Sequence, residues 1–486
     1  MLADRSIEII CYNVEKEIAT PRRCRKKILT MSKLHYLRIG VLALAASCGD
    51  VIAAENNSAD TSRALLRVAI LSDIQGFPYP EDSGMRNLER ALDVFAKEKI
   101  DVVVNNGDIN DTGRDSDALA YYRKRCDERL GSLPHIACMG NHEIAFVPPE
   151  LKDIRSSRVC LAGFNAVFGY APGEQLVHRV VGGYDFIALS LDDAACYREC
   201  DIKLLETAID KSVSRDGGKP IFVVTHYHPK DTVNDSDNEF RGGGLLRRLL
   251  DRYPQVVSIS GHTHNPLQDP RSIWQGNFTA VDTSTLCYGC VSLKPPAVNQ
   301  ISCLIPYGHE SVGCMILDVF ADKLVFRRFS VRDRAEIEPE NRWTVPWPHD
   351  PANAPYSFER RRLAEVPASF QADAEPTLWY DFGYIYIMFG AASPRTSVFG
   401  YRIELIPEGG DAVSHFLLSD FYRIAAHRQE RIVFKAPPGA LTPGTRYRCR
   451  IFPVGFFGAE GKPIDWSFDV QRHYTCRQDV PNFVQE

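Results

Sequence analysis

Five short stretches of this 486-residue chain carry acids, amides and imidazoles of the kind that hold metal ions. They are Asp73-Ile-Gln75, Gly107-Asp108, Gly140-Asn141-His142-Glu143, Thr225-His226-Tyr227-His228 and Gly261-His262-Thr263-His264. Each follows an apolar run, so each reads as the tip of a buried strand. In open α/β sheets that edge is where ligands bind. Asp108 would bridge two ions. Asp73, Gln75 and His264 would complete one, and Asn141, His226 and His262 the other. Mixed carboxylate, amide and imidazole donors suit Mn, Fe or Zn better than Ca. Two ions held roughly 3.5–4 Å apart acidify a water and neutralise charge on a phosphoryl group. The chemistry this favours is attack of a metal-held hydroxide on a phosphate ester. His142, beside Asn141 on one loop, is placed to protonate the leaving alkoxide or to orient it.

Each stretch also has a plainer reading. A lone Gly-Asp is usually a turn, and two histidines on a glycine loop are usually satisfied polar side chains. It is the convergence of five that favours ligands. His226 and His228 compete for one ligand place, which leaves His228 behind the ligands or facing the substrate. Asp111 and Glu143 are expected behind the ligands or at the surface. Asp192 and Asp193 read as acidic turn residues, and Arg241-Gly-Gly-Gly244 as a flexible loop rather than a phosphate-binding arginine. The Tyr and Phe residues of 378–389 read as core rather than as a glycan platform.

The elements that must position these residues follow from hydrophobic period. Leu65–Leu71, Ile100–Val104 and His135–Met139 read as strands, separated by helical patterns over Asn87–Ala96 and Ser116–Leu130. That β-α-β-α-β succession implies a largely parallel sheet with right-handed crossovers. The pattern loosens from Phe164 to Val181. It resumes with strands at Tyr184–Leu191, Pro220–Val224 and Gln255–Ile259, and helices at Ile202–Val213 and Leu245–Asp251. Later strands near Phe278–Asp282, Cys314–Val319 and Lys323–Phe329 alternate and are expected to be antiparallel. The layout is a mixed α/β domain over 64–335, a stiff Pro-rich connector over 336–362, and a small β-sandwich over 363–478 with strands at Leu378–Phe389, Gly400–Ile406, Arg431–Phe434 and Thr445–Val454.

The first 54 residues stand apart as a prefix. Lys33 to Arg38 is basic, Ile39 to Ala46 apolar, and Val51-Ile-Ala-Ala54 offers a cleavage site, the form of a secretory signal. Ala45-Ala-Ser-Cys48 gives an alternative, lipid attachment at Cys48, and only that route would bring a membrane in. Export would place the chain in the periplasm, at the cell surface or outside the cell. Eleven of the fourteen cysteines follow Cys48, and in an exported chain some should pair. Cys196 with Cys200 and Cys287 with Cys290 are near enough for local bridges. A net charge of −5 gives no reason to expect nucleic acid. No protein partner is indicated.

The five blocks, with Gly107-Asp108-Ile-Asn-Asp111 in full, resemble the calcineurin-like metallophosphoesterase family in wording and order. The resemblance implies a four-layer α/β/β/α sandwich and a dinuclear hydrolase. Residue by residue it gives Asp73, Asp108, Asn141, His226, His262 and His264 ligand roles and His142 the proton-donor role. Gln75 departs from the family's usual histidine and offers only a neutral amide oxygen. Asp111 stands where the purple acid phosphatase branch has a tyrosine ligand, which argues against that branch. Leu441-Thr-Pro-Gly-Thr-Arg-Tyr447 resembles a late strand of fibronectin type III modules. The expectation is an exported phosphoester hydrolase using two divalent ions on a small phosphate ester. The alternatives are a phosphodiesterase of the same fold acting on cyclic nucleotides or lipid head groups, and a metal-poor binding protein in which Gln75 marks a lost ion.

Overall fold

The computed structural model describes residues 63–472, apart from 112–115, 145–156, 192–195, 237–240, 293–301, 306–307 and 382. The expected signal, Cys48 and Asp192-Asp193 lie outside the described residues.

The strands that deliver the five motifs are almost wholly buried. β1 (Leu66–Leu71), α1 (Ser83–Phe95), β2 (Val102–Asn105), α2 (Ser116–Leu130) and β3 (His135–Ala137) follow in the expected order. β1 pairs parallel with β2, and β2 with β3. Val102, Val103 and Val104 are wholly buried and share one apolar cluster with α1, α2 and the second sheet. A strand covered on both faces is a continuous apolar run rather than an alternating one. Each such valine contributes about 1.5–3 kcal/mol by burial, so a charge at Val103 would unfold the sheet. α1 starts where the Asp82 side chain accepts from Met85 N at 3.0 Å, and it buries Met85, Leu88, Leu92 and Phe95 along one face.

A second sheet follows from α3 (Ser157–Phe168), β4 (Leu176–Val181), β5 (Tyr184–Leu189), α4 (Glu199–Asp216), β6 (Ile221–Thr225), α5 (Gly243–Leu250), β7 (Val256–Ser260), β8 (Ile273–Gln275) and β9 (Thr279–Asp282). Its strand order is β4-β5-β6-β7-β9-β8. α3 went unread in the sequence because Gly163 and Asn165 interrupt the helical spacing of Leu161, Phe164 and Phe168. β9 corrects the expected antiparallel strand: it runs parallel to β7 and antiparallel only to β8. The reversal falls to β8, so β9 returns in the direction of β7.

β10 (Cys290–Ser292) and β11 (Ser302–Leu304) form a small hairpin. β12 (Gly313–Val319), β13 (Lys323–Ser330), β14 (Ala335–Glu336) and β15 (Trp343–Pro346) extend the first sheet, in order β14-β13-β12-β1-β2-β3 with β15 also on β13. The Pro-rich stretch therefore begins inside the fold: β15 pairs along Lys323–Phe326, and Arg328 lies 4.5 Å over the buried Trp343 ring. Pro346 is tolerated because it ends an edge strand.

After α6 (Phe358–Ala364) the described residues are mainly β: β16 (Thr377–Asp381), β17 (Tyr384–Gly390), β18 (Gly400–Pro407), β19 (Val413–Leu418), β20 (Arg431–Lys435), β21 (Arg446–Val454) and β22 (Ile464–Asp469). A three-stranded sheet β16-β17-β20 and a four-stranded sheet β19-β18-β21-β22 share a core that includes Ile387, Phe389, Ile403 and Ile451. The run expected as one strand over Leu378–Phe389 is two, turning at Gly383. Alternation in β17 buries Ile385, Ile387 and Phe389 and leaves Tyr384 and Tyr386 outward, so only half of its aromatics and aliphatics are core. Among the described residues, no disulfide joins Cys196 to Cys200 or Cys287 to Cys290, and no helix is long and apolar enough to cross a membrane.

Candidate metal centre

β1 and β2 end side by side, and their tips stay tied beyond the sheet. Asp73 N donates to Gly107 O at 3.1 Å and Gln75 N to Asp108 O at 2.9 Å. Both tips leave the strand through left-handed backbone, at Asp73 (φ 50), Gln75 (φ 46) and Asp108 (φ 54). The tip after β7 does the same at His262 (φ 75) and His264 (φ 55). Non-glycine residues held there cost on the order of 1–3 kcal/mol each and gather at functional sites. Asn106 fixes the two sheets against one another. Its Nδ2 donates to Thr225 O at 3.2 Å and Ile259 O at 2.6 Å, the ends of β6 and β7. Gly140 and Gly261 allow the loops to close: a Cβ on Gly140 would overlap Asp108 Oδ1, and one on Gly261 would overlap Ser72 Oγ and Asp73 Oδ2.

All seven expected ligands and His142 come to this edge. On one side, Asp108, His226 and His262 each offer a ligand atom, all within 4.8 Å of one another. Asn141 Oδ1 lies 2.9 Å from His226 Nε2. On the other side, His264 Nε2 stands 3.2 Å from Asp73 Oδ1, and Gln75 Nε2 stands 3.4 Å from the same imidazole nitrogen. His142 N donates to Asp108 Oδ1 at 2.8 Å, and its Nδ1 meets Asp111 O at 2.7 Å. The side chains open on a cavity of about 320 Å³, lined by Gln75, Asp108, His142, Arg241, His262 and Tyr288 among others.

The protonation of the imidazoles is set from behind. His226 Nδ1 faces Asn106 O at 2.8 Å and His264 Nδ1 faces Tyr288 O at 2.9 Å. A carbonyl only accepts, so each Nδ1 carries the proton and each Nε2 turns its lone pair to the site. Those nitrogens look at Asp108 Oδ2 and Asp73 Oδ1, both 3.2 Å away. Both oxygens are buried and make no hydrogen bond. A lone pair and a carboxylate oxygen at that separation repel unless a positive charge lies between them. Without a metal only a proton can serve. Burial alone would lower the His226 imidazole, but Asp108 and then Asp73 outweigh it and hold the group up at about 9. Burial likewise opposes charge on Asp73, yet His264 and His226 outweigh it and hold the carboxyl low. His262 is pushed the other way, well down, by burial and by the cationic His226 and Arg241, so it stays a neutral donor. Orphaned carboxylate oxygens and lone-pair imidazoles are the donor set a divalent cation fits.

Glu143 and Arg241 do more than their sequence context indicated. Glu143, expected behind the ligands or at the surface, is 2% exposed. Its carboxylate accepts from Asp108 N (2.9 Å), Ile109 N (2.7 Å) and Gly140 N (2.6 Å), clamping two ligand loops together. Arg241, read as part of a flexible loop, reaches the cavity. Its guanidinium lies 4.9 Å from the Tyr227 ring and 3.5 Å from His262 Nδ1. Its position before three glycines was the only signal. His228, expected behind the ligands or facing the substrate, is held at Nδ1 by Ser260 Oγ (2.6 Å) and at Nε2 by Thr263 Oγ1 (2.8 Å), and it also lines the cavity.

A family model described as calcineurin-like phosphoesterase matches residues 66–266. Those residues are a calcineurin-like phosphoesterase domain. The phosphoesterase domain makes the chain a phosphoester hydrolase, and its family implies divalent metals. No curated protein matches the chain. Among solved structures, a dimetal phosphatase from Danio rerio is similar at 14% identity, over 58% of this chain and 99% of that one, with a TM-score of 0.40. A purple acid phosphatase from yellow lupin (Lupinus luteus) seeds is similar at 14% identity, over 58% of this chain and 53% of that one, with a TM-score of 0.42. A two-domain fibronectin type III segment of chicken tenascin is similar at 16% identity, over 36% of this chain and 79% of that one, with a TM-score of 0.16.

Proposed function

We propose that the protein is an exported hydrolase of small phosphate esters that works with two divalent ions, Mn, Fe or Zn. Asp108 would bridge them, with Asp73, Gln75 and His264 on one side and Asn141, His226 and His262 on the other. The observation that carries the reading is the pair of buried oxygens on Asp73 and Asp108 that lack a hydrogen-bond partner, each facing an imidazole Nε2 at 3.2 Å. Ions bound there would supply an acidified water and neutralise charge on the phosphoryl oxygens. The chain's own residues do the rest. Glu143 holds the Asp108 and Gly140 loops in register. Arg241, backed by Tyr227, draws an anion into the cavity and orients it. His142 holds a proton at the cavity wall for the leaving oxygen, its ring fixed by Asp111 O. The export reading rests on the Lys33–Ala54 pattern.

The two mixed sheets share one apolar cluster, and α4 and α5 contribute to a second cluster with the six-stranded sheet. This supports a four-layer α/β/β/α arrangement. The three-plus-four strand division supports a fibronectin type III-like sandwich, as does Tyr447 Oη accepting from Thr442 N at 3.1 Å at the start of β21.

The test is metal analysis after Mn loading, with turnover of nitrophenyl phosphate mono- and diesters compared side by side. Two ions per chain and turnover that is lost in Asp108→Asn support the reading; unchanged turnover in that variant would end it. A diester preference would move the assignment to the phosphodiesterase alternative. One observation favours a second reading with a single well-held ion: Gln75 turns its Nε2, a hydrogen-bond donor, toward His264. One ion per chain with no turnover would support the metal-poor form.

A further inference from the structure

A buried charged network, rather than a polar rim, joins the sandwich to the phosphoesterase domain. The loop between β19 and β20 inserts Phe421 and Tyr422 into an apolar cluster with Val291 and Ile305 of the β10–β11 region. There Tyr422 Oη donates to Asp269 Oδ2 at 2.7 Å. The same carboxylate holds Arg271, which donates from Nε to Oδ1 at 3.0 Å and from Nη2 to Oδ2 at 2.7 Å. Arg271 is 1% exposed, and its guanidinium lies 4.2 Å from the ring of Phe399 on the sandwich. A second bridge runs alongside: Glu310 accepts from Ile424 N at 3.1 Å and meets His427 Nδ1 at 2.6 Å. Buried ion pairs are stable only when their remaining hydrogen bonds are satisfied. Here the sandwich supplies one such bond, the Tyr422 hydroxyl on Asp269, while Arg271 Nη1 is left without a partner.

From Arg271 the contacts lead into the catalytic cavity. Arg271 O accepts from Asn234 N at 3.2 Å. Asn234 and Asn265 exchange two hydrogen bonds of 3.0 Å, and Asn265 Nδ2 also reaches Thr263 Oγ1 at 2.9 Å, between the two histidines of that loop. The next two residues after Asn234, Asp235 and Ser236, line the cavity.

We propose that the sandwich is a positioning element of the catalytic cavity: Tyr422, acting through Asp269 and Arg271, sets the Asn234–Ser236 wall that faces the substrate. Tyr422 touches no reacting atom. Its effect is on where the wall stands and so on substrate binding. The consequence for turnover rests on the hydrolase reading, while the position of the wall does not.

The test uses the full chain. Tyr422→Phe keeps the ring and removes the hydroxyl; Phe399→Leu, which takes the ring off Arg271, replaces it if the first variant fails to fold. Ile403→Val is the control, since it loosens the sandwich core without touching the bridge. Amide exchange of residues 231–236 is expected to quicken about tenfold in Tyr422→Phe and to stay unchanged in the control. KM for Mn-dependent hydrolysis of nitrophenyl phosphate is expected to rise about three- to tenfold, with kcat and bound Mn within about twofold of the parent. Unchanged exchange would overturn the proposal. So would an equal effect in Ile403→Val, which would make the bridge a matter of stability alone, or faster exchange with KM unmoved. If the parent chain turns over no ester, the hydrolase reading falls by itself. Exchange, with the affinity of the Mn-loaded chain for inorganic phosphate in place of KM, still decides the positioning role.

Discussion

The two sides of the candidate metal centre are built from the same kinds of donor, carried on tips with the same left-handed backbone, yet they are not equally ready. Asp108, His226 and His262 already aim three ligand atoms into a space 4.8 Å across. Opposite them, Asp73 and His264 approach at 3.2 Å, while Gln75 presents a donor where an acceptor is needed. An imidazole with its Nδ1 tied to a carbonyl has only one thing to offer at Nε2, a lone pair. An amide has two faces, and turning the oxygen inward means giving up the contact with His264. Affinity at a metal site thus depends on how far the surrounding backbone has removed a donor's alternatives, as well as on which donors are present. On this reading the His226 side fills first and the Gln75 side second.

Breaking Asp108, the proposed bridge between the two sides, should have the largest effect. Asp108→Asn is expected to lower turnover about a thousandfold, equivalent to about 4 kcal/mol at the barrier, and metal analysis should show both ions lost. If only one ion is lost, Asp108 does not bridge. Glu143→Gln comes next. Three backbone N–H groups converge on its carboxylate, and an amide nitrogen cannot accept from them. Disrupting support of this kind typically costs about 10- to 100-fold in metal affinity or activity, read here as kcat at saturating Mn. Arg241→Ala removes the cation of the cavity wall and leaves both sets of ligands in place. KM should rise about tenfold, as loss of a charge-assisted hydrogen bond worth about 1.5–3 kcal/mol implies; a fall in kcat alone would point to a different role.

Gln75→His sharpens the comparison most directly. It should tighten Mn binding on the weaker side by about tenfold, roughly 1.4 kcal/mol, measurable as two binding steps in calorimetry that draw together. Steps that stay apart would mean the asymmetry lies elsewhere. The last effect is on stability. In chelated protein the raised His226 contributes stability that is fully present below its unfolded value of 6.5 and is lost as pH rises through about 9. The loss is on the order of 3 kcal/mol. Chemical unfolding at pH 6.5 and 9 should reveal it, and Mn should flatten it by taking the proton's place beside Asp108.

The strands of the site and the donor side chains at their tips were legible in the sequence because period and chemistry coincide there. A β-branched run such as Val102–Val104 has few alternatives to a buried strand, and five donor-bearing tips in a row leave few alternatives to a common edge. What escaped notice had no local signature. Glu143 looks like any surface acid until the two loops it joins are brought together from 35 residues apart. Arg241 gives no sign in its neighbours of whether it faces a cavity or solvent. β15 hides in a Pro-rich stretch because its pairing partner, β13, supplies the order that its own composition lacks. β9 and β7 could not be aligned without knowing that β8 intervenes as the reversing strand. Local spacing reports which face a residue takes; it does not report which distant segment arrives to meet it.

The left-handed backbone at Asp73, Gln75, Asp108, His262 and His264 has a consequence for anyone redesigning the chain. Glycine would relax each of those positions, and an apolar residue would relieve the buried charge at two of them, so a method that scores only the metal-free fold will select these five sites for replacement. Improved stability and erased chemistry would then arrive together. Such a design effort should hold these positions constant, and a homologue already relaxed at them would be expected to have kept the fold after giving up the reaction.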